Sequence, residues 1–397
     1  MRWLAMVLVL VPAFLLSLLG LSAIATVGDA GRSLANWKQQ ALFLPLGLIG
    51  ATIAACVPQH LLRKHAGLLG LLVAGLLVLL LLPGVPESLV RPRNGARRWI
   101  SLVVFDLQPS ELARVAWCLL MARLLYAGDA HRRLSGLLRP VALTAIAGGL
   151  IVVEPDLGTT LLFVPAFVTI LIAAGGRIRH LLMFLVPAAL IPVLLIGGML
   201  LAPEAGEARL SQVLKPHQVD RIVAYTAQLR GDPRYDDDIG YQAAKALLAT
   251  ASGGVTGLGR EGAARAVRLS GLPEAHNDMV FAVLVAQHGA LGAVVVLGLY
   301  VAFGIGGLLI ARSCAHPFGR LVAVGITTML VSQALVHASM TLGLLPITGI
   351  TLPLVSYGGS SLVTTWGMIG VLVGLVMTPS GRKQEERWDF AFGSNPS

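Results

Sequence analysis

Apolar residues run in long unbroken blocks along this chain, with short polar stretches between them. One block, LLGLLVAGLLVLLLLP at 68–83, holds no charged residue and shows no alternation of apolar and polar positions. An α-helix needs about 20 apolar residues to cross the hydrocarbon core of a bilayer, whereas strands of a membrane barrel alternate over about 10 residues. The pattern therefore predicts membrane-spanning helices.

Ten such segments predict an all-α, polytopic membrane protein with about ten transmembrane helices. They cover 3–27, 40–57, 66–83, 110–127, 140–153, 157–175, 181–202, 280–311, 319–344 and 361–378. An even number of crossings puts both termini on one side. Lys and Arg collect in short cytoplasmic loops. Because Arg63, Lys64, Arg132 and Arg320 fall on the side of the N-terminus, we expect both termini in the cytoplasm.

The chain is thus predicted to form one integral-membrane domain over 1–397. A large extracytoplasmic loop at 203–278 separates spans seven and eight, and a short cytoplasmic tail covers 379–397. The first apolar run is too long for the hydrophobic region of a signal peptide and lacks a clear cleavage site, so we expect a retained first span.

Composition agrees with this class. The chain is 56% hydrophobic and 13% charged, whereas soluble domains carry about a quarter charged residues. Its net charge of +10 fits topology and contact with anionic membrane lipids better than nucleic-acid binding. The three cysteines, Cys56, Cys118 and Cys314, are too far apart in sequence for a disulfide framework or a redox pair.

Two polar clusters lie before the fourth span. Arg97 and Arg98, in RPRNGARR at 91–98, are either interfacial anchors or part of an anion site, and Trp99 suits an interfacial belt. In QPSELAR, Glu111 and Arg114 stand one helical turn apart and can form an ion pair. Such pairs tend to mark functional interiors, although a capped helix entering the membrane explains the motif equally well.

Three further stretches are polar. EPDLGTT at 154–160 carries Glu154 and Asp156, which a simple outer turn would tolerate. The acidic triplet at 236–238 is typical of a hydrated turn, and the glycine-rich stretch at 253–262 is weak evidence for a phosphate loop. None of these stretches has the spacing of a metal site.

The most informative segments come last. In LPEAHND, Glu274 is expected to be exposed and His276 to be a solvated neighbour, while Asp278 is either the N-cap of span eight or a general base. GLLPITGITLPLVSYGGSS at 343–361 interrupts the helices with Pro and Gly. Irregular backbone at membrane depth is tolerated where it is buried in protein or lines a cavity, so we expect a re-entrant loop facing an outward cavity.

Together these motifs resemble the SEDS proteins (shape, elongation, division and sporulation), the RodA, FtsW and SpoVE membrane glycosyltransferases. The matching stretches are GARRWI (95–100), QPSELAR (108–114), EPDLGTTLL (154–162), GYQAAKALLATASGGVTGLG (240–259), LPEAHND (272–278) and LLPITGITLPLVSYGGSS (344–361). The resemblance implies polymerisation of lipid II, the undecaprenyl-linked peptidoglycan precursor, at the outer face of the bacterial cytoplasmic membrane. It also implies a class B penicillin-binding protein, a transpeptidase, as partner.

The resemblance also implies roles for individual residues. Asp278 aligns with the family's essential acid and would act as general base. The predicted substrate-binding residues are Trp99, Arg97, Arg98, Glu111, Arg114, His276, Ser356 and Ser360. Arg97, Arg98 and Arg114 are the candidate cations for the pyrophosphate leaving group, with a divalent cation, Mg²⁺ or Mn²⁺, as an optional addition. No metal-ligand residues are predicted.

The chain departs from the family's pattern in three places. Ala286 and Gln287 replace a pair of glutamates, Arg114 replaces a lysine, and HASM at 337–340 replaces Asn-Ile-Gly-Met. The lost glutamates keep open a catalytically silent scaffold, and the intramembrane charges keep open a transporter of lipid-linked precursors. LPEAHND and the RRW spelling favour the FtsW branch and PITGI the RodA branch, so elongation, division and sporulation all stay open.

Overall fold

The structure, a computed structural model, describes residues 1–31, 35–90, 97–102, 106–128, 130–212, 216–232 and 240–377. Almost all of its regular structure is helical. The helices are α1 (Arg2–Asp29), α2 (Ala35–Ala55), α3 (Gln59–Leu81), α4 (Pro109–Leu125), α5 (Leu138–Val153), α6 (Leu157–Ala173), α7 (Ile178–Leu201), α8 (Pro203–Leu210), α9 (Pro216–Arg230), α10 (Tyr241–Ser252), α11 (Gly259–Ser270), α12 (Val280–Ser313), α13 (Pro317–Thr341) and α14 (Gly359–Met377).

Each of the ten predicted apolar segments overlaps one helix, and the all-α polytopic class is confirmed. Seven helical stretches among the described residues are long and apolar enough to cross a membrane, and α6 is apolar but shorter. The count of ten crossings and the sidedness of the termini stay predictions. The sequence did not predict a short antiparallel hairpin, β1 (Ile100–Ser101) with β2 (Asp106–Leu107), which precedes α4.

The helices pack closely because small residues face one another. A Cβ added to Gly370 of α14 would lie 2.1 Å from the carbonyl oxygen of Ala51 in α2. Small residues permit such close approach between helices in membranes. Helix α13 runs through the middle of the bundle, where it packs against α4, α6 and α12, and most of its side chains are buried.

The segment 342–358 contains no helix, as predicted from its Pro and Gly residues. The first residues of the segment are exposed. Its second half is nevertheless buried: Leu354 and Val355 are almost inaccessible, and the Tyr300 hydroxyl of α12 donates a hydrogen bond to the carbonyl oxygen of Pro353. Irregular backbone therefore lies inside the protein, where neighbouring helices supply partners for its polar groups.

The long loop 203–278 carries four helices, α8 to α11. Its glycine-rich stretch packs against α12 through the backbone, since Leu258 N donates to Ala286 O at 2.9 Å and Ala290 N donates to Gly254 O at 2.9 Å. The glycines therefore allow close packing, which is a structural role and not that of a phosphate loop. The acidic triplet at 236–238, the tail at 379–397 and most of RPRNGARR lie outside the described residues.

Candidate functional site

A cavity of about 1200 Å³ opens where α4 and α6 begin. Small-molecule sites usually enclose about 300–1,000 Å³, so this one has room for a larger polar headgroup. Its wall combines parts of the chain that are far apart in sequence: α2, the hairpin, the turn before α6 with the start of that helix, α9, the 274–278 turn, and the irregular 349–358 segment with the start of α14.

Asp278 lies in the wall of this cavity and is half-buried. The N-cap of α12 is Met279, and no side chain caps the helix, so the capping interpretation of Asp278 is wrong. Burial is the main cause that raises the pKa of Asp278 from 3.8 to about 7. The exposed Glu274 carboxylate acts in the same direction, and Arg221 and Arg98 oppose it. A carboxyl group with this pKa can exchange a proton near neutral pH.

Two guanidinium groups line the same cavity, from Arg98 and Arg221. Arg98 Nε donates to Glu154 O at 2.9 Å, and Arg221 donates to Thr348 O at 3.0 Å. A Cβ added to Gly349 would lie 3.4 Å from Asp278 Oδ2 and 3.7 Å from a guanidinium nitrogen of Arg221. The acid and the cation therefore both lie close to that glycine, where a larger side chain would contact them.

Sequence reasoning missed Arg221 because it belongs to α9, within the long loop. Nothing in its local sequence separates it from the other basic residues of that loop. The sequence feature that could have indicated Arg221 is the amphipathic pattern of α9. Val219 and Val223 of this helix are buried, and Arg221 between them is half-buried.

Arg97, the other cation of this motif, does not line the cavity. It donates to the carbonyl oxygens of Leu82 and Val85, at 3.1 and 3.0 Å, and so anchors the start of the hairpin to the end of α3. The two adjacent arginines thus point to different surroundings, as alternate side chains of extended backbone do.

Glu154 and Asp156 are both buried, so the interpretation as a simple outer turn is wrong for each. Asp156 caps α6, accepting from Thr159 N at 3.1 Å, and it also accepts from the Ser110 hydroxyl at 3.3 Å. Burial is the main cause that raises the pKa of Glu154 to about 8; Asp156 raises it too, and Arg98 opposes both. Pro155 and Asp156 line the cavity, whereas Glu154 is buried behind them.

The predicted ion pair between Glu111 and Arg114 is present. Glu111 lines the cavity, whereas Arg114 lies beneath it, 1% exposed, where it also contacts the side-chain oxygen of Gln333. Gln333 in turn donates to Thr351 O at 2.8 Å. Arg114 therefore supports the cavity floor and holds the irregular segment, and it does not face the cavity as the sequence had suggested.

Of the remaining predicted residues, some line the cavity and others lie behind its wall. Trp99 and Ser360 line the cavity, and Ser360 Oγ accepts from Gln108 N at 3.0 Å. Ser356 does not line it: its hydroxyl donates to Asn277 O and accepts from Leu352 N, both at 2.7 Å. His276 lies behind Tyr357, with ring centroids 5.6 Å apart.

One side of the cavity is apolar. It is formed by Leu42, Phe43 and Leu46 of α2 together with Leu102 of the hairpin. Leu42 is 66% exposed and Leu46 42% exposed, so this side continues onto the outer surface of the helix bundle. A ligand with a polar head and a hydrocarbon tail fits both halves of the cavity.

The possible divalent cation stays a prediction, and five carboxyl side chains line the cavity, those of Asp106, Glu111, Asp156, Glu274 and Asp278. Among the described residues there is no group of three or more His, Cys, Asp or Glu side chains that could hold a metal ion. Arg98 and Arg221 line the same cavity, and their charges act to lower the pKa of Asp278.

The two residues that replace the family's paired glutamates do not line the cavity. Ala286 is buried, and Gln287 bonds to α1, accepting from the Thr26 hydroxyl and donating to Ser22 Oγ, both at 3.1 Å. The replacement therefore changes a contact between α1 and α12 and leaves the cavity lining intact.

The chain matches the family model described as Cell cycle protein (FtsW, RodA, SpoVE) over residues 1–380. It is 33% identical to the "Probable peptidoglycan glycosyltransferase FtsW" of Thioalkalivibrio sulfidiphilus over 90% of this chain and 86% of that protein. It is 35% identical to the protein of the same name from Marinobacter nauticus, over 88% and 81% respectively.

Two solved structures are similar. One chain, from a study of polymerization and crosslinking by a peptidoglycan synthase complex, aligns with a TM-score of 0.72 and 29% identity over 92% of this chain and 96% of that chain. The rod shape determining protein RodA of Thermus thermophilus aligns with a TM-score of 0.64 and 26% identity, over 92% and 95%.

Proposed function

Because the chain belongs to the FtsW, RodA and SpoVE family of cell cycle proteins, we propose that it is a peptidoglycan glycosyltransferase of the bacterial cytoplasmic membrane. The relatives bear that activity in their names. The observation that supports it most is the meeting of Asp278, Arg98 and Arg221 in one large cavity. The substrate we propose is lipid II, which joins a disaccharide, a pyrophosphate and a prenyl chain.

In the proposed reaction, the 4-hydroxyl of an acceptor N-acetylglucosamine attacks C1 of a donor N-acetylmuramic acid. Asp278, as its carboxylate, takes the proton of that hydroxyl while the new C–O bond forms. The bond from C1 to the pyrophosphate oxygen breaks, and the lipid pyrophosphate leaves. A single displacement converts the α-linked donor into a β-linked product.

Arg98 and Arg221 would balance the negative charge that develops on the leaving group. Fixed cations in a site that excludes water stabilise such charge more effectively than water does. Each guanidinium is already held by a backbone carbonyl, which limits its motion before the substrate arrives. The apolar side formed by Leu42, Phe43 and Leu46 would receive the start of the prenyl chain. No step of this mechanism runs through a metal ion.

The partner we propose is a class B penicillin-binding protein, which crosslinks the strands that this chain makes. A similar chain was solved within a peptidoglycan synthase complex that couples polymerization with crosslinking.

Purified protein incubated with lipid II, with and without the transpeptidase, tests the proposal. We expect glycan strands that lengthen with time and that a muramidase digests. Translocation of lipid II across vesicles without polymer would select the transporter. Binding of the transpeptidase without polymer under either condition would select the scaffold.

A further inference from the structure

A second cavity, of about 300 Å³, lies at the opposite end of the helices that form the first. Helices α4 and α6 begin at the candidate site and end at this cavity, where Leu125 and Ala173 stand in its wall. Helix α13 runs the other way: it begins here at Pro317 and reaches the candidate site with Gln333. We name this second cavity the distal pocket.

One arginine lines the distal pocket, and two others lie near its wall, one of which, Arg63, has its Nη1 3.0 Å from His316 Nε2. Arg320 lines the pocket and is exposed. The guanidinium carbon of Arg63 lies 5.3 Å from the ring centroid of Tyr126, another lining residue. A Cβ added to Gly175, next to the lining residue Ala174, would lie 3.3 Å from the guanidinium of Arg132. The convergence is tertiary, because these arginines are far apart in sequence.

The wall of the pocket is fixed by internal contacts. His131 is 5% exposed, and its Nε2 lies 2.8 Å from Ala174 O, which ties the end of α6 to the turn after α4. The rings of Tyr126 and His316 lie 5.6 Å apart, which ties the end of α4 to the start of α13. A cavity held by contacts among three elements is present before any ligand binds.

Negative charge is absent nearby in the described part of the chain. The segments at this end are 56–65, 123–128, 130–139, 174–180 and 312–320, and none of them contains Asp or Glu, while Asp129, between two of these segments, lies outside the described residues. The general excess of Lys and Arg on one side of a membrane protein explains basic loops. It does not explain why Arg320 lines a cavity whose wall Arg63 and Arg132 approach from two other segments.

Apolar side chains are exposed beside the pocket. Leu134 and Leu138 follow His131 in the chain and are 43% and 67% exposed, and Ile172, next to Ala173, is 49% exposed. The site thus combines cationic groups with an apolar surface. We propose that the distal pocket binds the phosphodiester headgroup of an anionic phospholipid, with the acyl chains lying along these exposed residues. Basic pockets between membrane helices bind anionic lipid headgroups in this way.

The test measures retained lipid by native mass spectrometry on the full-length protein in detergent, titrated with phosphatidylglycerol or with phosphatidylcholine. Wild-type protein should retain phosphatidylglycerol at concentrations where phosphatidylcholine is lost. Arg320→Gln removes a charge-assisted bond and should weaken retention about tenfold. The matched control is Arg312→Gln, because Arg312 is exposed at the same end, in the last turn of α12, and does not line the pocket.

Selective weakening in Arg320→Gln, with unchanged unfolding temperatures in the absence of lipid, supports the proposal. Equal weakening in both variants would mean a diffuse attraction to the basic surface and would overturn it. Equal retention of the two lipids would also overturn it. Displacement of the lipid by inorganic phosphate would reassign the pocket to a soluble phosphate group.

Discussion

The cavity lining and the layer beneath it draw on the same sequence motifs but have different roles. Arg98 faces the cavity while the adjacent Arg97 anchors the hairpin to α3. Glu111 faces the cavity while Arg114, one turn later, lies under its floor. Each of these polar motifs therefore supplies one residue to the cavity lining and one to the layer that supports it. Substitutions in the lining should affect catalysis, and substitutions in the supporting layer should affect stability first.

The largest effect is expected at Asp278. Asp278→Asn keeps the size of the side chain but removes the base, so the rate of glycan synthesis should fall by about 10²–10⁴-fold. The unfolding temperature should stay near that of wild type, because the group is half-buried and caps no helix. Glu204→Gln, an exposed isosteric change in α8, is the control. Normal polymer from the Asn variant would refute the role of general base.

Arg114 tests the supporting layer. Arg114→Met leaves Glu111 buried without its ion-pair partner, and breaking such a pair typically costs about 3–5 kcal/mol. Denaturant unfolding in detergent should show this loss. A double variant that adds Glu111→Gln should recover part of it, because the unpaired charge is gone. A stable Arg114→Met protein with lost activity would instead place Arg114 among the catalytic groups.

Arg221 lines the cavity and Arg97 does not, so substitutions of these two arginines compare the lining with the supporting layer. Arg221→Gln should lower kcat about tenfold, which is the strength of one hydrogen bond to a charged group, with little change in stability. Arg230→Gln, on the exposed end of the same helix, should leave kcat unchanged. Arg97→Gln should mainly lower the unfolding temperature. Equal losses of kcat in Arg97→Gln and Arg221→Gln would remove the distinction between the two regions.

The last prediction is a pH dependence of the wild-type protein. Since Asp278 must be deprotonated to act as a base and its pKa is about 7, kcat/KM should fall about tenfold per pH unit below pH 7 and level off above it. The folded-state pKa is raised above the ordinary 3.8, so its contribution to stability is present below pH 4 and is lost as pH rises through 7. A wild-type profile that stays flat from pH 5 to 8 would contradict the assignment.

Local pattern was sufficient for much of this protein. Long apolar blocks specify helices because each span must satisfy its backbone hydrogen bonds internally. The Pro and Gly residues of 343–361 interrupt the helices because they disfavour that regular hydrogen bonding. The pairing of Glu111 with Arg114 also follows from helical spacing alone. These features depend on neighbours within one or two turns, which the sequence displays directly.

Only the tertiary structure decided which polar residues face the cavity. Glu154 and Asp156 fit an exposed turn in the sequence, yet both are buried, and Asp278 fits a helix cap that Met279 occupies instead. Arg221 enters the site from a loop helix far along the chain from Arg98. Long-range packing of α2, α6, α9 and the irregular segment brings these groups together. Because burial and opposing charges fix the pKa of Asp278, its chemistry depends on that packing.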